Sequence, residues 1–511
     1  MMIPLLWICL LLYLLSVCGL VLHSVFFIPL FLRYLKNRKT PLIPRDRFTD
    51  TDLPFHIIQL PVYNEDVDMV KQLVTSATKQ VYPHERLLIQ LLDDSDRQII
   101  SDELKQLVME INEHDPSISL VYYHRANRED YKAGNLNFGL QEAIQKILGP
   151  GEFHPDNTIV SVFDADFIIP PNYIEETVHY FTNREVGAVQ AAYDYYNQNM
   201  NYLTMAQSSY LVNLHNIEFK TRSREGHLTT VRGSAGSWRL STIQESGGWQ
   251  GDTQVEDVDL SIAAQLQGWK ILYLDHISAS CQLPHGYNEF KLQQRSWVKG
   301  LMEVFRKRAG SILVSRKLSP SQKLLGIDFF LILTFQPLFM IAGHLFLIPS
   351  YYLLKMHDMA DLPQWITLGL LLLLSTTHLT FLSTGAKQAT LTGVSRRAAF
   401  VKSFSSIWLI PSLFTALSFG LIEGLIGIRV HRDKTSKVGP SIDTPHSRLS
   451  DDQKRLLRRI GLCELSMCIF SISFIGWAVW SNQVLIALIY GILAICYPWG
   501  MLLSYIDYQN T

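Results

Sequence analysis

The chain has 511 residues, 48% of them hydrophobic, with 45 Lys and Arg against 46 Asp and Glu. That length suggests two or more domains, and the apolar content at a net charge near zero excludes both a disordered chain and a basic nucleic-acid binder. The six cysteines show no CxxC or Cys/His spacing and nearly all lie in or beside apolar segments, so a disulfide framework and a zinc site are excluded as well.

From Met1 to Leu32 there is no Asp, Glu, Lys or Arg, and Arg33, Lys36, Arg38 and Lys39 follow at once. The run is longer than a bilayer crossing needs and its charge comes after it, so 1–35 is predicted to be a signal anchor that leaves the next domain in the cytosol. Residues 50–310 read as one α/β domain, because short strand-like runs alternate with helical stretches. The strand candidates are Phe55 to Leu60, Leu87 to Leu92, Ile118 to Tyr123 and Thr158 to Phe163. Each ends near a polar cluster: Asn64-Glu65, Asp93-Asp94-Ser95-Asp96, His124-Arg125, and Asp164-Ala165-Asp166. In an open parallel sheet these clusters converge on one crevice beyond the strand ends.

The last cluster carries the clearest chemistry. Alternate residues of an extended chain share a face, so Asp164 and Asp166 can act on one site, and their hard oxygens suit Mg²⁺ or Mn²⁺. A solvated strand end has the same look. Asp93, Asp94 and Asp96 can accept hydrogen bonds from a nucleotide or simply form a turn and helix cap. Lys132-Ala133-Gly134-Asn135-Leu136-Asn137 opens a helix and suits a phosphate, or is a capped surface helix. Gln254 to Leu260 sets Glu256, Asp257 and Asp259 before an amphipathic helix ending at Gly268, where one carboxylate can be a general base or all can complement the helix dipole. Gln293 and Trp297 lie one helical turn apart, which makes a sugar platform or a membrane-surface anchor.

Beyond residue 320 the chain turns apolar, with predicted spans at 327–355, 365–386, 460–480 and 484–505. Between them 399–428 is interrupted by Lys402, Pro411 and Glu423, and the basic stretch 429–459 should face the cytosol, which makes 399–428 an interfacial element and leaves five crossings.

Taken in order, Pro61-Val62-Tyr63-Asn64-Glu65, Asp93-Asp94-Ser95, Lys132 to Asn137, Asp164-Ala165-Asp166, Gly247-Gly248-Trp249, Glu256-Asp257 and Gln293…Trp297 resemble the family 2 glycosyltransferases, above all the membrane-embedded cellulose-synthase-like enzymes of the mannan and glucomannan synthase-like branch. The resemblance implies an α/β GT-A (Rossmann-like) catalytic domain at 50–310, joined to an α-helical transmembrane region at 320–511. It implies a multi-pass plasma membrane protein with a cytosolic catalytic domain, inverting transfer from a nucleotide sugar (UDP-glucose or GDP-mannose) with Mg²⁺ or Mn²⁺, and a growing polysaccharide as acceptor. Pro61, Tyr63, Glu65, Asp93, Asp94, Lys132, Asn135 and Asp164 would bind the donor, and Asp164 with Asp166 the metal. Asp257 would be the catalytic base, with Glu256 beside it in the catalytic pair, while Gln293, Gln294, Arg295, Trp297, Gly233 and Ser234 would hold the acceptor. Thr435-Ser436-Lys437-Val438-Gly439 resembles the TxK gating loop of such synthases.

Three positions depart from the family pattern. Ser296 stands where the QxxRW signature has arginine, Arg232 where relatives have asparagine before the glycine, and Val255 where threonine is common. Arg295, Arg432, Lys434 or Lys437 would then have to supply the charge missing at Ser296. Two rivals to a processive synthase follow: a ceramide-glucosyltransferase-like enzyme adding one sugar to a lipid, and a non-catalytic scaffold that binds nucleotide sugar.

Overall fold

A computed structural model describes residues 2–37, 40–146, 154–357, 397, 409, 412–428, 449–480 and 484–509. Its centre is a seven-stranded sheet: β1 (Phe55–Val62), β2 (Leu87–Asp93), β3 (Leu120–His124), β4 (Thr158–Val162), β5 (Val186–Tyr195), β6 (Gly236–Arg239) and β7 (Lys270–Cys281). Their spatial order is β3-β2-β1-β4-β6-β5-β7, and β6 is antiparallel to both neighbours. The four foreseen strands form the parallel half, with ends shifted by one or two residues. The other three were not foreseen.

Both faces of the parallel half are covered, so its strands read as continuous apolar runs. Ile58, Leu60, Ile89 and Leu91 face α2 (Val67–Thr78) and α3 (Gln98–His114), while Ile57, Leu88 and Leu92 face α4 (Tyr131–Lys146). Two strand glutamines on that second face fix α4. Gln59 donates to the Leu136 carbonyl (3.0 Å) and Gln90 to the Gly139 carbonyl (2.8 Å), both fully buried. A Cβ at Gly139 would come within 2.7 Å of Leu92, which is how closely the helix lies on the sheet. The amino end of α4, with Lys132, is thereby set over the strand ends.

After β5, α5 (Tyr202–Leu214) runs through a π-helical turn, His215–Phe219, into α6 (Lys220–Arg224). The acidic helix α7 (Glu256–Gln267) stops at Gly268, whose φ of +102° makes the left-handed cap. A long helix, α8 (Tyr287–Val314), then leaves the sheet domain. Its faces are clearly divided. Gly300 abuts Val255, and Val304 packs with Val258 and Ile262, while Val298 and Met302 pack with Leu421 of α10 (Phe414–Ile426).

The apolar part contributes α1 (Met2–Asn37), α9 (Pro320–Lys355), α11 (Asp451–Trp480) and α12 (Val484–Gln509). Leu10 and Tyr13 of α1 pack with Leu347, Leu353 and Leu354 of α9 and Ala478 of α11. Among the described residues two helices are long and apolar enough to cross a membrane, Pro4–Asn37 and Asp451–Trp480. Polar contacts tie α8 to the carboxyl-terminal helices: Lys291 donates to Glu464 (2.8 Å) and Ser504 (3.2 Å), and the Asn288 backbone to Asp507 (2.8 Å).

The stretch 429–459 needs correction at its end, since α11 begins at Asp451. Ser450 and Gln453 form a reciprocal cap there, at 2.8 and 3.2 Å, which starts the helix. The 365–386 span, residues 399–408, 410 and 411 of the 399–428 stretch, and the gating residues Thr435 and Lys437, with Arg432 and Lys434, lie outside the described residues.

Candidate active site

The ends of β1, β2, β3 and β4 do meet along one edge, and β2 shows how the edge is built. Asp93 is fully buried and its carboxylate accepts from the Ser95 backbone (2.8 Å), the Ser101 hydroxyl (2.7 Å) and the Tyr122 hydroxyl (2.8 Å). Asp93, predicted as a donor ligand, thus organises the loop after β2, with both carboxylate oxygens accepting from the protein. Asp94 is clamped by both arms of Arg125, at 2.9 and 2.8 Å. Burial outweighs that arginine and raises the Asp94 carboxyl above its ordinary value. The signal for the clamp was present in sequence: parallel register pairs Asp93 with His124, which brings the next residues, Asp94 and Arg125, side by side.

On β1's side, Pro61 sits half-buried beside Leu92, and Tyr63 donates to Asp96 (3.1 Å) under the guanidinium of Arg128, 3.2 Å from its ring centre. Glu65 is half-buried on the same loop. Asn135 is buried and donates to the Leu92 carbonyl (2.9 Å), so it ties α4 to β2. Gly134 serves the same closure. A Cβ there would meet the Glu129 carbonyl at 2.1 Å, so the space beside Gly134 is filled by the protein itself. Asn137 exchanges hydrogen bonds with the Trp249 backbone, at 2.7 and 3.2 Å.

At the centre stands Lys132. Its ammonium lies 2.5 Å from Asp164, 2.8 Å from the Gly233 carbonyl and 3.9 Å from Glu256. Burial opposes its charge, but Asp164, Glu256 and Asp257 prevail and hold it above the usual lysine range. Across the pocket lined by Lys132, Gly233, Ser234, Trp249, Glu256 and Asp257, the Asp257 carboxyl is pushed up to about 7, first by burial and then by Glu256, with Lys132 pulling it down. Such a carboxyl is poised to exchange a proton near neutrality. Among the described residues four non-glycine residues have positive φ: Asn64, Asp130 and Ala235 on loops at this crevice, and Tyr131 at the start of α4. Backbone strain gathers there.

The Asp164 backbone donates to the Ser234 hydroxyl (3.0 Å), and Asp166 accepts from the Gln282 backbone (3.1 Å). Asp164 commits one carboxylate oxygen to Lys132, and its side chain is 36% exposed. Among the described residues no cluster of three or more His, Cys, Asp or Glu side chains surrounds a metal position. Two carboxylates of this kind fit a hard cation that completes its shell with water and phosphate oxygens.

Helical geometry sorts the α8 residues. Gln293, Trp297, Gly300 and Val304 share a face, and the contacts of Gly300 and Val304 turn that face towards α7. Trp297 is 41% exposed there. Arg295 lies on the other side, buried and ion-paired with Glu423 of α10. The structure thus places Arg295 against Glu423, away from the face that carries Gln293 and Trp297. Gln294 is also buried, and its amide NH₂ finds no partner among the described residues.

Two family models match the chain: Glycosyl transferase family group 2 over residues 159–417, and Glycosyl transferase family 2 over residues 57–243. The chain is 32% identical over 271 residues to glucomannan 4-beta-mannosyltransferase 7 of Arabidopsis thaliana, which covers 52% of this chain and 46% of that relative. The match thus spans under half of the relative's length. Among solved structures, the mannosyltransferase PcManGT from Pyrobaculum calidifontis, solved with GDP-Man and Mn²⁺, superposes with a TM-score of 0.50 at 16% identity, covering 78% of this chain and 99% of its own. That likeness speaks for the GT-A fold alone. With one family model spanning residues 159–417, and with the motif carboxylates carried by the GT-A sheet that the resemblance implied, the chain belongs to the family 2 glycosyltransferases.

Proposed function

We propose that the protein is an inverting, metal-dependent glycosyltransferase that elongates a β-linked polysaccharide from a nucleotide sugar and passes it through its membrane helices. The observation that carries this reading is Asp257: a buried carboxyl, raised to about 7, sharing one pocket with Lys132, which is itself paired with Asp164. Asp257 takes the proton of the acceptor hydroxyl as that oxygen bonds to the anomeric carbon. The bond from that carbon to the donor phosphate breaks, and its electron pair leaves with the nucleotide diphosphate. Attack from the face opposite the leaving group inverts the anomeric centre. A divalent cation held by Asp164 and Asp166 would supply positive charge to the departing diphosphate. Lys132 keeps the carboxylate pair from repelling the donor, and Gln293 and Trp297 present the acceptor end to Asp257.

The donor is GDP-mannose or UDP-glucose. The mannosyltransferase name of the Arabidopsis relative and the GDP-Man in the archaeal structure favour the first. The two long apolar helices support a bilayer setting, with the plasma membrane as its place and the sheet domain on the cytosolic side. The apolar carboxyl-terminal region favours a polymer over single-sugar transfer to a lipid.

The test is Asp257→Asn in the full chain. Transfer should fall by roughly 10²–10⁴ while nucleotide-sugar binding stays within a few-fold, because a base acts on the acceptor. Near-normal turnover would remove Asp257 from the role. Wild-type product length, one sugar on lipid or a long glycan, separates the rival enzyme, and no donor turnover by the wild type would favour the scaffold.

A further inference from the structure

The loop before β6, Val231 to Ala235, is pinned on three sides. The Val231 backbone donates to Ser261 of α7 (2.9 Å), the Arg232 backbone to Gln190 of β5 (2.8 Å), and the Tyr193 hydroxyl to the Ser234 carbonyl (2.8 Å). Gly233 turns at a φ of +70°, and a Cβ there would point between Asp257 (3.7 Å) and Lys132 (3.8 Å). A rigid backbone thus carries Arg232 beside the reacting groups.

The guanidinium of Arg232 is held by rings. It lies 4.3 Å from the ring centre of Tyr193 and 5.0 Å from that of Phe219, the last residue of the π-helical turn. Tyr193 in turn meets Phe167, next to Asp166, edge-on at 5.1 Å, and His215 at 5.7 Å. His215 is buried, and burial first, with Arg232 adding to it, keeps its imidazole neutral. Among the described residues the guanidinium makes no ion pair, and its Nε is buried without an acceptor. Cation–π contact steadies the group but leaves its in-plane N–H donors unused. A planar fork of this kind matches a carboxylate or phosphate.

We propose that Arg232 is a specificity-determining residue that binds an oxyanion of the substrate, either the donor's diphosphate or an acidic group on the acceptor sugar. The inference rests on the glycosyltransferase reading above. It also bears on the charge near the site: Arg295 is committed to Glu423, Ser296 brings none, and Lys132, which shares the pocket with Glu256 and Asp257, is already paired with Asp164.

The experiment uses the full chain in lipid nanodiscs, wild type against Arg232→Met, which keeps the stem and removes the donors. GDP, UDP and their free nucleosides are titrated with Mn²⁺ present, and transfer is assayed with neutral and with uronate-terminated oligosaccharides. If the diphosphate is the oxyanion, R232M should bind GDP or UDP roughly tenfold to a hundredfold more weakly with nucleoside binding unchanged. If the acceptor supplies it, nucleotide binding stays and the KM for the uronate-terminated acceptor rises by a similar factor, with the neutral one unmoved. Arg232→Lys keeps the charge and volume and covers the case where R232M does not fold; it should recover only part of either loss. Wild-type values for both variants, in an enzyme that itself binds nucleotide and transfers sugar, would overturn the proposal. A wild type that does neither would instead overturn the glycosyltransferase reading.

Discussion

The two halves of the crevice treat charge in opposite ways. At the ends of β1 to β3 nearly every group is already matched within the protein: Asp93 by Ser95, Ser101 and Tyr122, Asp94 by Arg125, and Asp96 by Tyr63 and Asn64. Across from it, around α7 and the 231–235 loop, Asp257 is raised to about 7 and Arg232 has no counter-ion among the described residues. The first half is preorganised and its charges hold shape. In the second half the charges are left for a substrate to complete.

That contrast can be tested by removing groups from each side. The largest effect should come from the metal. Chelation by EDTA should lower transfer by roughly a thousandfold, since Lewis-acid stabilisation is worth several kcal/mol, and Mn²⁺ or Mg²⁺ should restore it in the wild type but not in Asp166→Ala. Undiminished turnover in EDTA would make the Asp164 and Asp166 pair structural. On the matched side, Arg125→Ala should destabilise the fold, by about 3–5 kcal/mol in a urea titration, because it strands the buried Asp94 carboxylate. A loss confined to activity, with the urea midpoint unmoved, would mean that Asp94 is not held by the fold. The smallest effect is in pH. Asp257 must be ionised to take a proton, so the rate should fall tenfold per unit below about pH 7 and level off above it. Lys132→Met removes the cation that lowers this value, so the limb should move to higher pH. A limb unmoved in that variant would assign it to another group.

The parallel half of the sheet and the order of the acidic motifs could be read from the chain because they are local patterns: apolar runs ending in carboxylates, and a glycine-stopped acidic helix. β5 escaped notice because its run, Val186–Tyr195, is interrupted by Gly187 and rich in alanine, unlike the branched apolar runs of β1, β2 and β4. Pairings between distant residues escaped for another reason. Nothing near residue 295 announces Glu423, and its apolar surroundings in α10 hide the need for a partner. Arg232 stood out only as a departure at one position. Its aromatic setting depends on Phe219, placed by a π-helical turn that no short motif encodes.

The contacts between α8 and the last helix have a practical side. The helix that presents Gln293 and Trp297 is fastened at its opening turns by Ser504 and Asp507, some two hundred residues further along the chain. Shortening the protein before Ser504, a natural choice for trimming an apolar tail, would cut those fastenings and free the opening turns of α8. On the proposed reading, in which Gln293 and Trp297 hold the acceptor, the final helix would then share in aligning sugar with Asp257.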